Sequence, residues 1–170
     1  LSPSPPNSIG FPVITQCHEP GMITGKPIEL GGLGLRSDAT AKGGFIIIKE
    51  LLHHFENIPK NPTVTIQGFG NAGLNIAKML NHDGFKIVAV SDSKGGISNC
   101  DGLDIRKVIE NKEKGESVTS YKSAEKITNA ELLEIKTDIL ILAALENQIT
   151  ENNADKIKRY QSALLSYFPN

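Results

Sequence analysis

Gly68, Gly70 and Gly73 stand at the spacing G-x-G-x-x-G, and Asp92 follows 24 positions after the first of them. Each residue type has a mechanical use at this spacing. Gly68 permits a tight turn, Gly70 lets a diphosphate approach the backbone, and Gly73 lets the next helix pack closely on the preceding strand. The exposed N–H groups and the positive end of that helix attract phosphate. A carboxylate at Asp92 can accept hydrogen bonds from an adenosine ribose. Glycines in this order also occur in ordinary turns. The context favours the dinucleotide reading: a strand runs directly into the turn, a helix opens directly after it, and an acidic residue ends the next strand.

Other residues with chemical potential form no set. Cys17, His18 and Glu19 are adjacent, but one Cys and one His without a second pair fall short of a ligand pattern, so no metal is expected. Lys26 sits beside Pro27 with nothing nearby to activate its amine, and reads as structural or solvent-facing. His53 and His54 are neighbours on a helix, point to different faces and form no joint site. Glu131 and Glu134 span one helical turn, and a capping role accounts for Glu131. No residue is assigned a catalytic role.

The elements that must position the glycine turn follow from periodicity. Phe45, Ile48, Leu52 and Phe55 give one apolar face to a helix over 38 to 56, which the prolines of "NIPKNP" end. "TVTIQ" (63 to 67) is a strand, and Gly73, Ile76, Ala77 and Leu80 share one face of a helix that Gly84 can stop. "KIVAVS" (86 to 91) and "DILIL" (138 to 142) are apolar runs of strand length, as in a sheet covered on both faces. Asp104 is an expected N-cap with Leu103 and Val108 as a hydrophobic staple. Thr128 and Glu131 form an expected capping box stapled by Ile127 and Leu132, and Thr150 can cap a last helix from about 151. Strand, helix and strand make a βαβ unit with a right-handed crossover. The fold class is α/β: a Rossmann-like parallel sheet with flanking helices. With three parallel strands legible, about half of a six-stranded sheet, an incomplete doubly wound fold is expected.

Bulk properties bound the partners. The 170 residues are 39% hydrophobic and 22% charged with a net charge of −1, which gives no electrostatic case for nucleic acid or an anionic membrane. No run of 18 apolar residues exists. Residues 1 to 20 hold five of the nine prolines and read as an irregular arm, leaving 21 to 170 as the dinucleotide-binding domain. The start "LSPSPPNSIGFP" has neither a basic n-region nor an apolar h-region, so no signal peptide is expected, and its lack of Met reads as a fragment or processed product. Two cysteines, Cys17 and Cys100, make no disulfide framework and fit reduced thiols in a cytoplasmic protein.

"TGKPIELGG" (24 to 32), "RSDAT" (36 to 40), "TIQGFGNAG" (65 to 73), "VAVSDSKGGI" (88 to 97), "DGLDI" (101 to 105) and "DILILAALENQIT" (138 to 150) together resemble the Glu/Leu/Phe/Val dehydrogenases, glutamate dehydrogenase in particular. The resemblance covers about 21 to 159 and is to the cofactor-binding domain. It implies reversible oxidative deamination of glutamate to 2-oxoglutarate and ammonia with hydride passing to NAD or NADP. By similarity Thr40 contacts the nicotinamide end, and Arg36 is counted among the cofactor-binding residues. Phe69, Asn71 and Ala72 complete the phosphate turn with the three glycines. Ala143, Ala144 and Asn147 line the nicotinamide ribose, in keeping with ligands lying outside the carboxyl ends of parallel strands. Unaided, "AALENQ" reads equally well as an ordinary strand-to-helix loop. Asp92 favours a free 2′-hydroxyl and hence NAD, while Ser91, Ser93 and Lys94 suit a 2′-phosphate. The balance leans slightly to NAD.

Departures from the family bear on activity. The lysine-bearing substrate domain of the family has no counterpart upstream of Gly21, "GGLGLR" stands for the family's "GGSLGR", and Ala41 replaces a glycine. After Arg159 the family would continue into a further strand, where this chain reads "YQSALLSYFPN". Both ends read as cut or out of frame. Cofactor binding with no turnover by this chain alone is the expectation, substrate engagement needing the missing domain. A non-catalytic dinucleotide-binding module and an inactive remnant are the rival readings. The family's oligomeric assembly is not assumed.

Overall fold

The computed structural model describes the backbone of residues 36–54, 59–158 and 161–166, with side chains over 38–54 and 59–157. The proline-rich arm, the Cys17–His18–Glu19 cluster, Lys26, Phe55 and the "TGKP" segment lie outside the described residues. The chain divides after Ser37 into units Leu1–Ser37 and Asp38–Asn170.

Helix α1 (Arg36–His54) comes first, and Ala41, Phe45, Ile48 and Leu52 turn inward at helical spacing. Strand β1 (Thr63–Gln67) leads through the glycine turn into helix α2 (Asn71–His82) and strand β2 (Lys86–Asp92). Gly73, Ile76, Ala77 and Leu80 are the buried face of α2, as their spacing predicts. Gly84 takes φ +87 just beyond the helix end, a conformation that suits a residue without Cβ. Strand β3 (Gly95–Ser98), helix α3 (Ile105–Glu113), a 3₁₀ turn (Val118–Ser120), strand β4 (Glu125–Ile127) and helix α4 (Asn129–Leu133) follow. Strand β5 (Thr137–Leu142), helix α5 (Glu151–Lys158) and strand β6 (Gln161–Ser166) complete the order.

Two of the three expected side-chain caps form, at Asp104 and Thr128. The Asp104 side chain accepts from the Lys107 backbone N–H, and Thr128 and Glu131 bond reciprocally as a capping box. Thr150 precedes α5, its carbonyl accepting from Asn153 and Ala154.

The strands form one sheet in the order β4-β3-β2-β1-β5-β6. β2, β1, β5 and β6 are parallel, while β3 pairs antiparallel with β2 and with β4. The sheet is therefore mixed, with three strands beyond those legible in sequence. The 161–166 segment, expected to depart from the family's next strand, pairs with β5 along Gln161 to Ser166. A register shift between Val64 and Thr65 skips Val88 on β2, so Ile87 and Val90 face the same side despite their odd spacing.

Apolar residues cover both faces. One side joins Val64, Ile66, Ile139 and Ile141 to α1, α2 and α3, and the other joins Ala89, Leu140 and Leu142 to Leu132 and Leu133 of α4 and Ile157 of α5. The order of strand addition reverses at β1, with the strands still parallel: β2 lies on one side of it and β5 on the other. A switch point of this kind opens a crevice outside the carboxyl ends of the strands, between the turns after β1 and β5.

Candidate functional site

Three segments meet the crevice: the glycine turn after β1, the β2–β3 turn and the stretch 143–148 after β5. Gly68 adopts φ +91 and donates its N–H to the Ser91 carbonyl at 2.9 Å. A Cβ at Gly68 would collide with the Ala143 carbonyl and stand 2.8 Å from the Ala144 nitrogen. A Cβ at Gly73 would run into the Gly68 carbonyl oxygen. These two glycines are fixed by close backbone approach, and the first of them fits the turn against the segment after β5.

Gly70 differs. Its φ of −87° is open to any residue, and a Cβ there would meet nothing within 4 Å. What Gly70 keeps clear is space at the mouth of α2. No side chain caps this helix and no acidic residue occupies its first turn. Its first amides therefore offer the positive pole of a twelve-residue helix to an anion.

Among the other expected site residues, Asn71, exposed, opens α2, and Ala72 is half-buried behind it. Phe69 is 1% exposed and its side chain belongs to the core, so it anchors the turn from below and leaves only its backbone to face a ligand. Ser93 and Lys94 are exposed in the β2–β3 turn. Ala143 and Ala144 are half-buried beside Gly68, and Asn147 is exposed with a left-handed φ of 61°, a conformation Asn tolerates better than most side chains. Thr40 is half-buried on α1, one residue before the buried Ala41, and Arg36 is the first residue of that helix.

Asp92 is a correction to the expectation. Its side chain is 7% exposed, and protein donors take both oxygens. Oδ1 accepts from the Lys94 backbone N–H at 2.9 Å and from Ser117 Oγ at 3.0 Å. Oδ2 accepts from Lys112 Nζ at 2.8 Å and from the Val118 backbone N–H at 3.0 Å. A carboxylate offers about four acceptor positions, and the fold fills them all, leaving none for a ribose hydroxyl. Burial raises the Asp92 pKa, but the bonds from Lys112, Lys94, Val118 and Ser117 together outweigh it and hold the carboxyl below its ordinary value of 3.8. Asp92 thus ties the end of β2 to α3 and to the 3₁₀ turn. The sequence places it correctly at the strand end, but three of its four donors lie 20 to 26 residues downstream, beyond any local pattern.

Sequence reasoning also missed Gln67 and Gln148, whose side chains are joined at 2.8 Å across the crevice wall. The one available signal was an amide at the end of an otherwise buried strand.

No acid–base pair or metal cluster faces the crevice among the described residues. His53 and His54 are exposed and separate, with His54 Nε2 3.6 Å from Glu50. Glu131 serves its cap, Glu134 pairs with Lys156 at 2.9 Å, and no group of three His, Cys, Asp or Glu residues is placed to hold a metal. No described helix is long and apolar enough to cross a membrane.

Residues 31–164 match the family model described as Glutamate/Leucine/Phenylalanine/Valine dehydrogenase. The chain belongs to this family. It is 43% identical over 157 residues to the NADP-specific glutamate dehydrogenase of Synechocystis, covering 87% of this chain and 37% of that protein. It is 46% identical over 145 residues to the cryptic catabolic NAD-specific glutamate dehydrogenase of Bacillus subtilis, covering 85% and 34% respectively. The hetero-hexameric glutamate dehydrogenase of Thermus thermophilus superposes with a TM-score of 0.76 at 28% identity, over 88% of this chain and 34% of that one. The chain therefore spans about a third of the length of these relatives. Members of both cofactor specificities stand among them, so a nicotinamide dinucleotide is supported without a preference.

Proposed function

We infer that this chain is the NAD(P)-binding portion of a glutamate dehydrogenase-type oxidoreductase, with the dinucleotide lying across the carboxyl ends of β2, β1 and β5. The observation that carries this reading is the glycine turn. Gly68 and Gly73 are locked by backbone contact, while Gly70 leaves open the one place where a Cβ would fill the cradle before an uncapped helix. The residues fit a diphosphate at the amides of Asn71 and Ala72, with Ala143, Ala144 and Asn147 toward the nicotinamide.

The bound nicotinamide would supply hydride transfer. Deamination of glutamate to 2-oxoglutarate and ammonia further requires a base to activate water and an acid–base group for the amine. The described residues place no such pair at the crevice, so the reading assigns cofactor binding to them and the acid–base chemistry to residues beyond them. The choice of glutamate rests on the names of the relatives. A non-catalytic dinucleotide-binding module is the second reading, favoured by the same lack of an acid–base pair.

The Asp92 geometry bears on the cofactor. The slight lean to NAD rests on that carboxylate receiving a ribose, and its oxygens are already filled, with Lys112 offsetting its charge. Ser93 and Lys94 are the exposed polar groups left in the same turn. The inferred preference is therefore NADP, with Lys94 facing the 2′-phosphate. A cytoplasmic setting is part of the reading and fits the exposed free thiol of Cys100.

Calorimetric titration with NADPH and NADH tests the reading. Expected are tighter binding of NADPH, loss of that margin in Lys94→Glu, and loss of both ligands in Gly70→Val, which still unfolds cooperatively at a cost of about 1 kcal/mol for its place at the N-cap of α2. A wild-type chain giving no heat with either dinucleotide at millimolar concentration overturns it. Glutamate-dependent reduction of NADP separates an enzyme from a binding module.

A further inference from the structure

We propose that Gln67 and Gln148 form a tether that sets the spacing between the glycine turn and the 143–148 segment, making Gln67 a positioning residue for the nicotinamide half of the cofactor. The proposal rests on the dinucleotide reading above.

Gln67 ends β1 immediately before the turn and is 2% exposed. It holds the segment after β5 by two bonds. Its backbone carbonyl accepts from the Ala143 N–H at 2.8 Å, and its side-chain Nε2 donates to Gln148 Oε1 at 2.8 Å. The first bond continues the parallel ladder of β1 and β5 and needs no particular side chain. The second spans 81 positions in sequence and needs an amide or its equivalent.

Gln148 is itself secured. Its Nε2 donates to the Glu146 carbonyl at 3.2 Å, and its own carbonyl accepts from Asn153 Nδ2 at 2.9 Å. Asn153 Oδ1 in turn accepts from the Thr150 N–H at 2.7 Å, so the far end of the segment is fastened to the first turn of α5. Asn147 takes a left-handed φ of 61° just before Gln148. Residues 144–147 are thus suspended between two fixed points, Ala143 on the ladder and Gln148 on Gln67. With the adenosine end toward β2, a dinucleotide seated on α2 extends its other half toward β5 and onto this suspended stretch.

The burial of Gln67 supports a specific use for its amide. Gln67 Oε1, Thr65 Oγ1 and Ser91 Oγ are buried without a hydrogen-bonding partner among the described residues. Thr65 shares a strand face with Gln67, and Ser91 lies opposite it in the β1–β2 register. A Met or Leu would fill the volume without burying an unpaired acceptor. What only the amide provides is the bond to Gln148.

The test compares wild type, Gln67→Met, Gln148→Met and the double variant. Backbone amide exchange at 143–149 and in α2 reads the tether without ligand. Calorimetry with NADPH and with 2′,5′-ADP, which lacks the nicotinamide half, reads its effect on binding. Expected in Q67M are faster exchange confined to 143–149, about a tenfold loss of NADPH affinity and less than about twofold for 2′,5′-ADP, with Q148M matching it and the double variant no worse. Unchanged exchange at 143–149 overturns the tether. Equal losses for both probes, or exchange that rises in α2 as well, reduce Gln67 to a structural role and overturn the positioning claim. Should Q67M fail to fold, Q148M, altered at a half-buried side chain outside the core, carries the same comparison. A wild type that binds neither probe refutes the dinucleotide reading and with it the cofactor role, while the exchange arm still decides the tether.

Discussion

At the scale of single residues, the most informative position is Asp92, because its type and place were readable while its partners were not. A carboxylate closing a strand after a glycine turn reads as a ribose acceptor. The folded chain instead surrounds it with Lys112, Ser117 and the N–H groups of Lys94 and Val118. Replacing Asp92 with Asn sets an NH₂ against donors and removes the charge opposite Lys112. The expected cost is about 2–3 kcal/mol at neutral pH. The pH dependence follows from the lowered pKa. The Asp92 contribution is fully present above the unfolded value, near 3.8, and is lost as pH falls from there through the lower folded value. Urea unfolding of wild type and D92N should therefore differ by a constant amount from about pH 7 to about pH 5, and the difference should narrow as pH falls below about 4. A difference that does not narrow there would show that the ionised carboxylate is not the source. Gly68, Gly70 and Gly73 were legible as a motif, but their distinct roles were not. Only the backbone distances separate the two glycines that exclude a side chain for packing from the one that leaves room for a ligand.

At the scale of elements, legibility tracked the range of the interactions involved. Caps and staples join residues three to five apart, so Asp104 and the Thr128–Glu131 box could be read directly and both are present. β1, β2 and β5 were legible because buried parallel strands are continuous apolar runs. β3 was not, since it is four residues long and starts with two glycines, and β4 is three residues with Glu125 and Lys126 exposed. Their strand character comes from pairing with β2 and with each other. The local reading of α4 can be tested. Its five residues bring Leu132 and Leu133 onto Ala89, Leu140 and Leu142, so fraying at Thr128 loosens one cover of the sheet. Thr128→Ala is expected to cost about 1 kcal/mol in denaturant unfolding, with faster exchange of the α4 amides. Thr128→Ser, which keeps the hydroxyl, should recover most of it. Equal losses in both variants would place the effect in packing of the Thr methyl rather than in the cap.

At the scale of the whole molecule, the crevice exists only where the sheet does. The turns that form it follow Gln67, Asp92 and Leu142, and strand pairing alone brings these distant positions to one edge. An unfolded chain has no cradle, so a dinucleotide binds the folded state alone and must stabilise it by linkage. At about a hundredfold excess over the dissociation constant the gain is about 2.7 kcal/mol, and each further tenfold adds about 1.4 kcal/mol. For a chain of this size that corresponds to a rise in melting temperature of about 5–10 °C. The expected dependence on ligand is logarithmic, stronger for NADPH than for NADH at equal concentration, and nearly flat in Gly70→Val. Because G70V adds its side chain to open space at the N-cap of α2, its unliganded melting temperature should fall by no more than a few degrees, about 1 kcal/mol, while its response to ligand is lost, which separates a blocked site from a damaged fold. Differential scanning calorimetry over three decades of NADPH measures all of this. A wild-type melting temperature that stays constant across that range would mean that the turn after β1 is kept open for packing reasons alone.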